Sequence, residues 1–467
     1  MNPIYHLVQL IALSLLCSPA SAVRAASLGA VDQSFNPGQG ADGTVTTIHL
    51  AADGSIYLIG EFLHFDGEGR TNFARLKHDG ALDRQFQPQS VGSLSGAPVT
   101  TQANGLALLG SPSKPLRLLP DGSIDESFHF NRFLYPRFDN AVNAVTMDPF
   151  GQVYVAGSFK NVIVGPGFPE PEKREQRLIA RLNGDGIVDG FFKIPSWIVG
   201  EEVHALAVQP SDGRLLAGGY FKTNASSGNV LIGPSLIRFR ADGQVDPSFQ
   251  SALPVIGIVR HLDLQHDGRV LFVRDPLPSA PFRHFGRLNS DGTLDESFDV
   301  QVIPDGSIYA VIVQGDGRVL IAGDFTTVNG LVRNRIARLL SSGQVDPAFD
   351  PGPGPNGPVT DLALDFDGKV LIGGTFTEVA GTPLNRVARL LADDNPPAPQ
   401  LAQPILDGPV FLQFEAIRRK CYALEFRDSL ETGTWQTLTE ILGEHTTGTL
   451  LDRNPALGNR FYRLRVK

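Results

Sequence analysis

The sequence predicts an all-β protein, a seven-bladed β-propeller followed by a small β-sandwich, on three observations. A D-x-x-F phrase recurs with a period near fifty residues. Each repeat holds two β-rich runs joined at a tight turn. No stretch shows helical periodicity over a useful length. The phrase reads V-D-Q-S-F (Phe35), L-D-R-Q-F (Phe86), I-D-E-S-F (Phe128), V-D-G-F-F (Phe192), V-D-P-S-F (Phe249), L-D-E-S-F (Phe298) and V-D-P-A-F (Phe349). Its intervals are 51, 42, 64, 57, 49 and 51 residues, the range of a unit that forms one small sheet and stacks on its neighbours.

In chain order, the first element is an apolar core, Leu7 to Cys17, followed by Ala20-Ser21-Ala22. That pattern predicts a secretory signal peptide over residues 1–22, although His6 is the only basic side chain before the core. The run is too short to span a bilayer and no other stretch is long and apolar enough, so no membrane span is expected. Export places the chain outside the cell or at its surface, and Cys421 alone then remains, which forbids an intrachain disulfide. A net charge of −9 with no Lys/Arg tract speaks against nucleic acid. Fifty Gly and 34 Pro are a breaker load that disfavours long helices.

Residues 28–393 hold the repeats. In the last, Val359 to Phe376 is a pair of β-rich runs meeting at Asp367-Gly368, where a tight hairpin needs positive φ. Asp53-Gly54, Asp212-Gly213, Asp267-Gly268 and Asp316-Gly317 are the equivalent turns. A third run follows, F-A-R-L (Phe73 to Leu76), I-A-R-L (Ile179 to Leu182 and Ile336 to Leu339) or V-A-R-L (Val387 to Leu390), and then the phrase, as a short fourth strand or structured corner. Two stretches also contain GxGxxG, Phe35 to Val45 and Phe349 to Val359. A dinucleotide fingerprint needs strand, glycines and then helix, whereas here the glycines precede a strand, so these copies read as turns between blades.

The run of an Asp-Gly turn, V-L-x-G-G-x-F, I-A-R-L-x-x-D-G and L-D-x-S-F resembles the delta-60 repeat of bacterial surface and secreted proteins. The resemblance covers residues about 30–393. It implies a propeller and brings no catalytic residues. Unit two has lost most of a hairpin, and unit five carries Val273-Arg274-Asp275 where others have Gly-Gly or Gly-Asp. After a Pro-rich linker at 394–404, residues 405–467 read as short alternating strands and resemble small β-sandwich modules at the C-termini of secreted bacterial proteins.

No H-E-x-x-H, G-x-S-x-G or paired-Cys spacing is present, so no catalytic residue is assigned and no cofactor is expected. Residues repeated in every unit read as structural: Asp32, Asp189 and their counterparts, Phe35 and its counterparts, and Arg75, Arg181, Arg338 and Arg389. Arg lies seven or eight residues before the Asp of the phrase, a spacing that predicts an ion pair across the intervening turn. Calcium is the one ion to consider, at Asp365-Phe366-Asp367, though one Asp per turn supplies too few oxygens for it. Four residues break the small-residue pattern of the first strands, which run nearest the central channel: His49, His261, Asp263 and Asp361. They read either as a solvated channel wall or as a site for a cation or polar ligand. Inserts at Val162 to Gln176 and Thr223 to Pro234 should share one rim, where binding loops are displayed.

Unit seven ends after Arg389 without its phrase, while the N-terminal V-D-Q-S-F has no hairpin before it. Residues 28–36 should therefore dock on unit seven and close the ring. The expected function is a non-catalytic scaffold that binds a protein or glycan outside the cell. A propeller lyase, lactonase or glycosidase and a purely structural surface protein are the alternatives. The oligomeric state is not encoded in any motif.

Overall fold

The computed structural model describes residues 27–89, 97–102, 105–110, 115–128, 137–148, 151–164, 172–209, 212–224, 230–253, 257–265, 267–275, 284–298, 304–393, 410–415, 421–427, 436–442, 447–452 and 461–466. The predicted signal peptide and linker lie outside them. No helix occurs among the described residues, and none is long and apolar enough to cross a membrane.

Each repeat unit folds as a three-stranded antiparallel sheet in sequence order. The inner strands are Thr44–Leu50, Val99–Thr101, Val142–Met147, Glu202–Val208, Val259–Leu264, Ile308–Val313 and Val359–Leu364. The middle strands, such as Val319–Gly323 and Val370–Gly374, are buried along their whole length, as expected for strands covered on both faces. The third strands are the F-A-R-L-type runs. The phrase adds a fourth, single-bridge strand: Leu76 pairs with Leu82, Leu182 with Val188 and Leu339 with Val345. In unit two the strands shrink to three residues each but keep the same order, so its hairpin is shortened rather than lost.

Apolar clusters sit between consecutive sheets, because a three-stranded sheet cannot cover its own faces. One joins Ala310, Leu320 and Ile336 of unit six to Leu362, Val370 and Ala388 of unit seven. Another joins Leu371 and Val387 of unit seven to Val45, Ile48 and Leu58 of unit one, and Phe35 belongs to it. The inner strand of unit one accordingly lies against that of unit seven on one side and that of unit two on the other.

The N-terminal phrase makes the fourth strand that unit seven lacks. Val31 pairs with Leu390, Asp32 N–H donates to the Arg389 carbonyl at 2.8 Å, and Leu391 N–H donates to the Ala30 carbonyl at 2.8 Å. Phe35 is 5 % exposed.

The two GxG turns are equivalent seams. Asn385 donates to the Gln39 carbonyl at 2.8 Å and Asn334 to the Pro353 carbonyl at 2.9 Å, and Gly40 and Gly354 both have positive φ. Each turn thus packs against the preceding unit, at a site where no helix follows.

The described residues beyond 409 form two further antiparallel sheets, Val410–Glu415 with Thr447–Asp452, and Cys421–Arg427 between Gln436–Leu442 and Phe461–Val466.

Candidate functional site

The periodic polar residues form a belt. Arg75 meets Asp83 at 2.6 Å, Arg181 meets Asp189 at 2.6 Å and Arg338 meets Asp346 at 2.8 Å. Arg389 meets Asp32 of the N-terminal phrase at 2.8 Å, so the pair that closes the ring matches those within units. Each guanidinium also lies over the phenylalanine of the phrase, at 4.5 Å for Phe86 and 5.0 Å for Phe35, which combines charge pairing with cation–π contact. The remaining N–H groups reach the next unit: Arg181 to the Ala241 carbonyl, Arg238 to that of Ser290 and Arg389 to that of His78, each at 2.7 Å. Burial pushes the Asp32 carboxyl up, but hydrogen bonds from Ser34 and Lys369 and the Arg389 charge outweigh it and hold the group well below the usual carboxylate range.

Three of the four symmetry-breaking residues, His49, Asp263 and Asp361, are placed in separate seams. His49 Nε2 lies 2.8 Å from Thr101 Oγ1 of unit two. Asp361 accepts from Ile48 N–H of unit one at 2.7 Å, and Asp263 from Val313 N–H of unit six at 2.8 Å. Burial raises the Asp361 carboxyl to about 7, against the downward pull of its N–H partners from Ile48 and Leu362. Burial and the neighbouring Arg260 charge bring His261 down to about 4. The two aspartates thus cap backbone groups of the next inner strand. The structure does not gather the four residues at one point.

A different set converges at the start of the inner strands. A β-bulge interrupts the register there in units one and three to seven, for example between Val203 and Ala205 and between Val259 and His261. The extra residues are Thr46, Asn143, His204, Arg260, Tyr309 and Thr360. In units one, three and seven these bond backbone carbonyls, as Thr360 does with Val45 at 2.6 Å. In units four to six they carry a charged and hydroxylic chain.

Arg260 donates to Asp275 at 2.8 Å from Nη2 and at 3.0 Å from Nε, and its Nη1 lies 3.0 Å from His204 Nδ1 and 2.9 Å from His204 Nε2. His204 Nε2 lies 2.9 Å from Glu202 Oε2. A neutral ring leaves one nitrogen to accept from Arg260. Burial and the Arg260 charge keep the His204 pKa below its ordinary value, in line with that state. Next around the ring, the Tyr309 hydroxyl donates to Asp324 at 2.8 Å, and burial and that bond push the phenol up to about 12.

Unit five builds this differently from its neighbours. In unit six, Gly323 ends the middle strand because a Cβ there would overlap the Ser307 carbonyl across the bulge. Arg274 holds the matching position in unit five, beside Asp275, and is 3 % exposed.

The same end of the ring carries the hairpins between middle and third strands. In unit three the insert forms Asn161–Val164 paired with Glu172–Glu175, and in unit four Lys222–Asn224 paired with Val230–Ile232; residues 165–171 and 225–229 lie outside the described residues. Val199 N–H donates to the Lys222 carbonyl at 2.8 Å, which sets the loop bearing Trp197, 45 % exposed, beside the unit-four hairpin. Lys222 pairs with Glu201 and lies 5.4 Å from the Tyr220 ring.

A family described as a β-propeller domain of unknown function, DUF5122, matches residues 51–86, 211–249, 314–349 and 367–396, parts of units one, four, six and seven. The repeat region has a β-propeller fold. No curated protein matches it. Among solved structures, the WD40 β-propeller domain of Doa1 is 12 % identical over 79 % of this chain and 97 % of its own, with a TM-score of 0.45. The extracellular domain of a hybrid two-component system of B. thetaiotaomicron is 11 % identical over 91 % of this chain and 53 % of its own, with a TM-score of 0.40. A gluconolactonase of Xanthomonas campestris is 15 % identical over 76 % of this chain and 97 % of its own, with a TM-score of 0.37.

Proposed function

We propose that the chain is an exported protein of the delta-60 repeat type. It has a seven-bladed propeller over residues 28–393 and a β-sandwich over 405–467, and it works as a non-catalytic scaffold that binds a protein or glycan outside the cell. The ligand surface is the mouth at which the bulged residues and the long hairpins emerge.

The observation that carries this reading is the asymmetry of that mouth. Glu202, His204, Arg260 and Asp275 make a partly exposed chain on units four and five, whereas the equivalent residues of units one, three and seven are taken up by backbone carbonyls. A ring whose only task is mechanical has no need for one half to differ from the other. Trp197 and Tyr220 beside Lys222 and Glu201 add aromatic faces and charge, a surface suited to sugar rings or peptide side chains.

The test is a screen of the purified protein on glycan and protein arrays, with and without calcium. The reading expects hits whose binding is lost in a Trp197→Ala, Arg260→Ala variant. Hits that this variant keeps, or no hit from a folded protein on either array, would overturn it.

A further inference from the structure

At the opposite end of the ring, two side chains face one another across the closing seam. Residue 365 follows the inner strand of unit seven and is Asp, as Asp148 is in unit three, whereas Gln209, Gln265 and Gln314 hold this place in units four to six. There the glutamine serves the arginine belt, as when Arg287 donates to Gln265 at 3.1 Å. Residue 78 of unit one is His, where Ala241, Ser290 and Ser341 occupy the matching turns. His78 Nε2 lies 3.8 Å from Asp365 Oδ2. Asp367, from the Asp-Gly turn, completes a group whose ligand atoms all fall within 4.8 Å of one another.

The Asp365 carboxylate is held in place with one oxygen left over. Its Oδ1 accepts from Asp367 N–H at 3.0 Å and Lys369 N–H at 2.8 Å, which fixes the side chain against the hairpin. Its Oδ2 is buried without a hydrogen-bond partner, in a residue 3 % exposed. A buried carboxylate oxygen with no donor is costly and calls for an explanation. Arg389 Nη1 stands 3.4 Å away, but that group already donates to the His78 carbonyl, and Arg389 is paired with Asp32. The seam holds three carboxylates, Asp32, Asp365 and Asp367, against the two cations Arg389 and Lys369, so it keeps a negative balance. His78, 43 % exposed at its side chain, and the exposed Asp367 leave the group open to solvent.

We propose that the seam between units seven and one binds a divalent first-row transition metal ion, zinc fitting best, through His78, Asp365 and Asp367. One imidazole nitrogen and two carboxylates are a donor set for such ions rather than for calcium, which takes six to eight oxygens. Bonds of about 2.0–2.2 Å put neighbouring ligands of a tetrahedral ion about 3.4 Å apart, so the 3.8 Å between His78 and Asp365 needs a small contraction, and the exposed Asp367 side chain, within 4.8 Å of the others, must turn inward further. Three protein ligands leave a fourth position for water. Because His78 comes from unit one and both aspartates from unit seven, the ion would clamp the chain where the ring closes.

The test uses the purified protein without tag histidines, stripped with chelator, in equilibrium dialysis and thermal melting against zinc, calcium and magnesium. The proposal expects one zinc per chain and a melting temperature raised by several degrees, with no rise from calcium or magnesium. His78→Ala, at an exposed position that should leave the fold intact, and Asp367→Asn should each abolish both effects, while His204→Ala should keep them. Zinc uptake unchanged by His78→Ala, an equal response to calcium, or no zinc bound by a chain that melts cooperatively would overturn it.

Discussion

Removing Phe35 should damage the ring as much as removing a phenylalanine from inside a unit. The Phe35 side chain is 5 % exposed, sits under the Arg389 guanidinium at 5.0 Å and belongs to the cluster that joins Leu371 and Val387 to Ile48 and Leu58. Phe298, wholly buried, holds the same place in unit five with Arg287 at 4.5 Å. Truncating a buried Phe to Ala costs about 3–5 kcal/mol, so Phe35→Ala and Phe298→Ala should fall in that range together. A chain beginning at Gly38 should lose more. It removes the Val31–Leu390 bridge and five backbone hydrogen bonds, three to Arg389 and Leu391 and one each to Asp79 and Asp350, and it leaves Arg389, 3 % exposed, without Asp32. Stranding one partner of a buried ion pair costs a further 3–5 kcal/mol or so. Urea denaturation followed by fluorescence and circular dichroism measures all three variants against the parent chain. A chain from Gly38 that unfolds at the parent's midpoint would refute this closure.

Further outcomes follow from single residues. Arg338→Ala, at a side chain with no exposure, should cost about 3–5 kcal/mol in urea denaturation, and Arg84→Ala, whose side chain is 62 % exposed, within about 0.5 kcal/mol. Asp361 is raised to about 7 in the fold against about 3.9 unfolded, so its stabilising contribution is complete below about pH 4 and lost as pH rises through about 7. Asp361→Asn should therefore lose less stability than the parent between about pH 4.5 and pH 8, read from melting temperatures at both. Gly323→Ala should destabilise by about 1–3 kcal/mol through overlap with the Ser307 carbonyl, whereas Gly69→Ala, with open space around it, should stay within about 0.5 kcal/mol by the same assay.

The fold was legible because each unit repeats its own punctuation. Asp-Gly turns, the A-R-L run and D-x-x-F recur at fixed offsets, and the phrase missing after Arg389 matched the surplus before Gly38. The Arg–Asp spacing carried the belt pairing for the same reason. What sequence could not show was the bulge. One extra residue in the inner strand leaves no compositional trace, yet it turns Arg260 and Tyr309 toward Asp275 and Asp324. His49, Asp263 and Asp361 stood out because they are polar among small residues, but a polar side chain in a seam can be spent on the neighbour's N–H, as Asp263 and Asp361 are. His78 was invisible as a ligand, since 287 positions separate it from Asp365 and only ring closure brings them together. Asp365 and Asp367 were noticed as neighbours in sequence, with calcium in view. The imidazole beside them shifts the donor set toward transition metals.

The central claim, that the bulged mouth of units four to six is the ligand surface, is tested most directly by comparing one affinity at both ends of the ring. For any ligand found on the arrays, binding is measured by calorimetry with Arg260→Ala and with Arg269→Ala, the latter beside the Asp267-Gly268 turn at the far mouth. Arg260→Ala should weaken binding at least about tenfold, and Arg269→Ala should leave the affinity unchanged. Equal affinities in both variants, or a loss confined to Arg269→Ala, would contradict it.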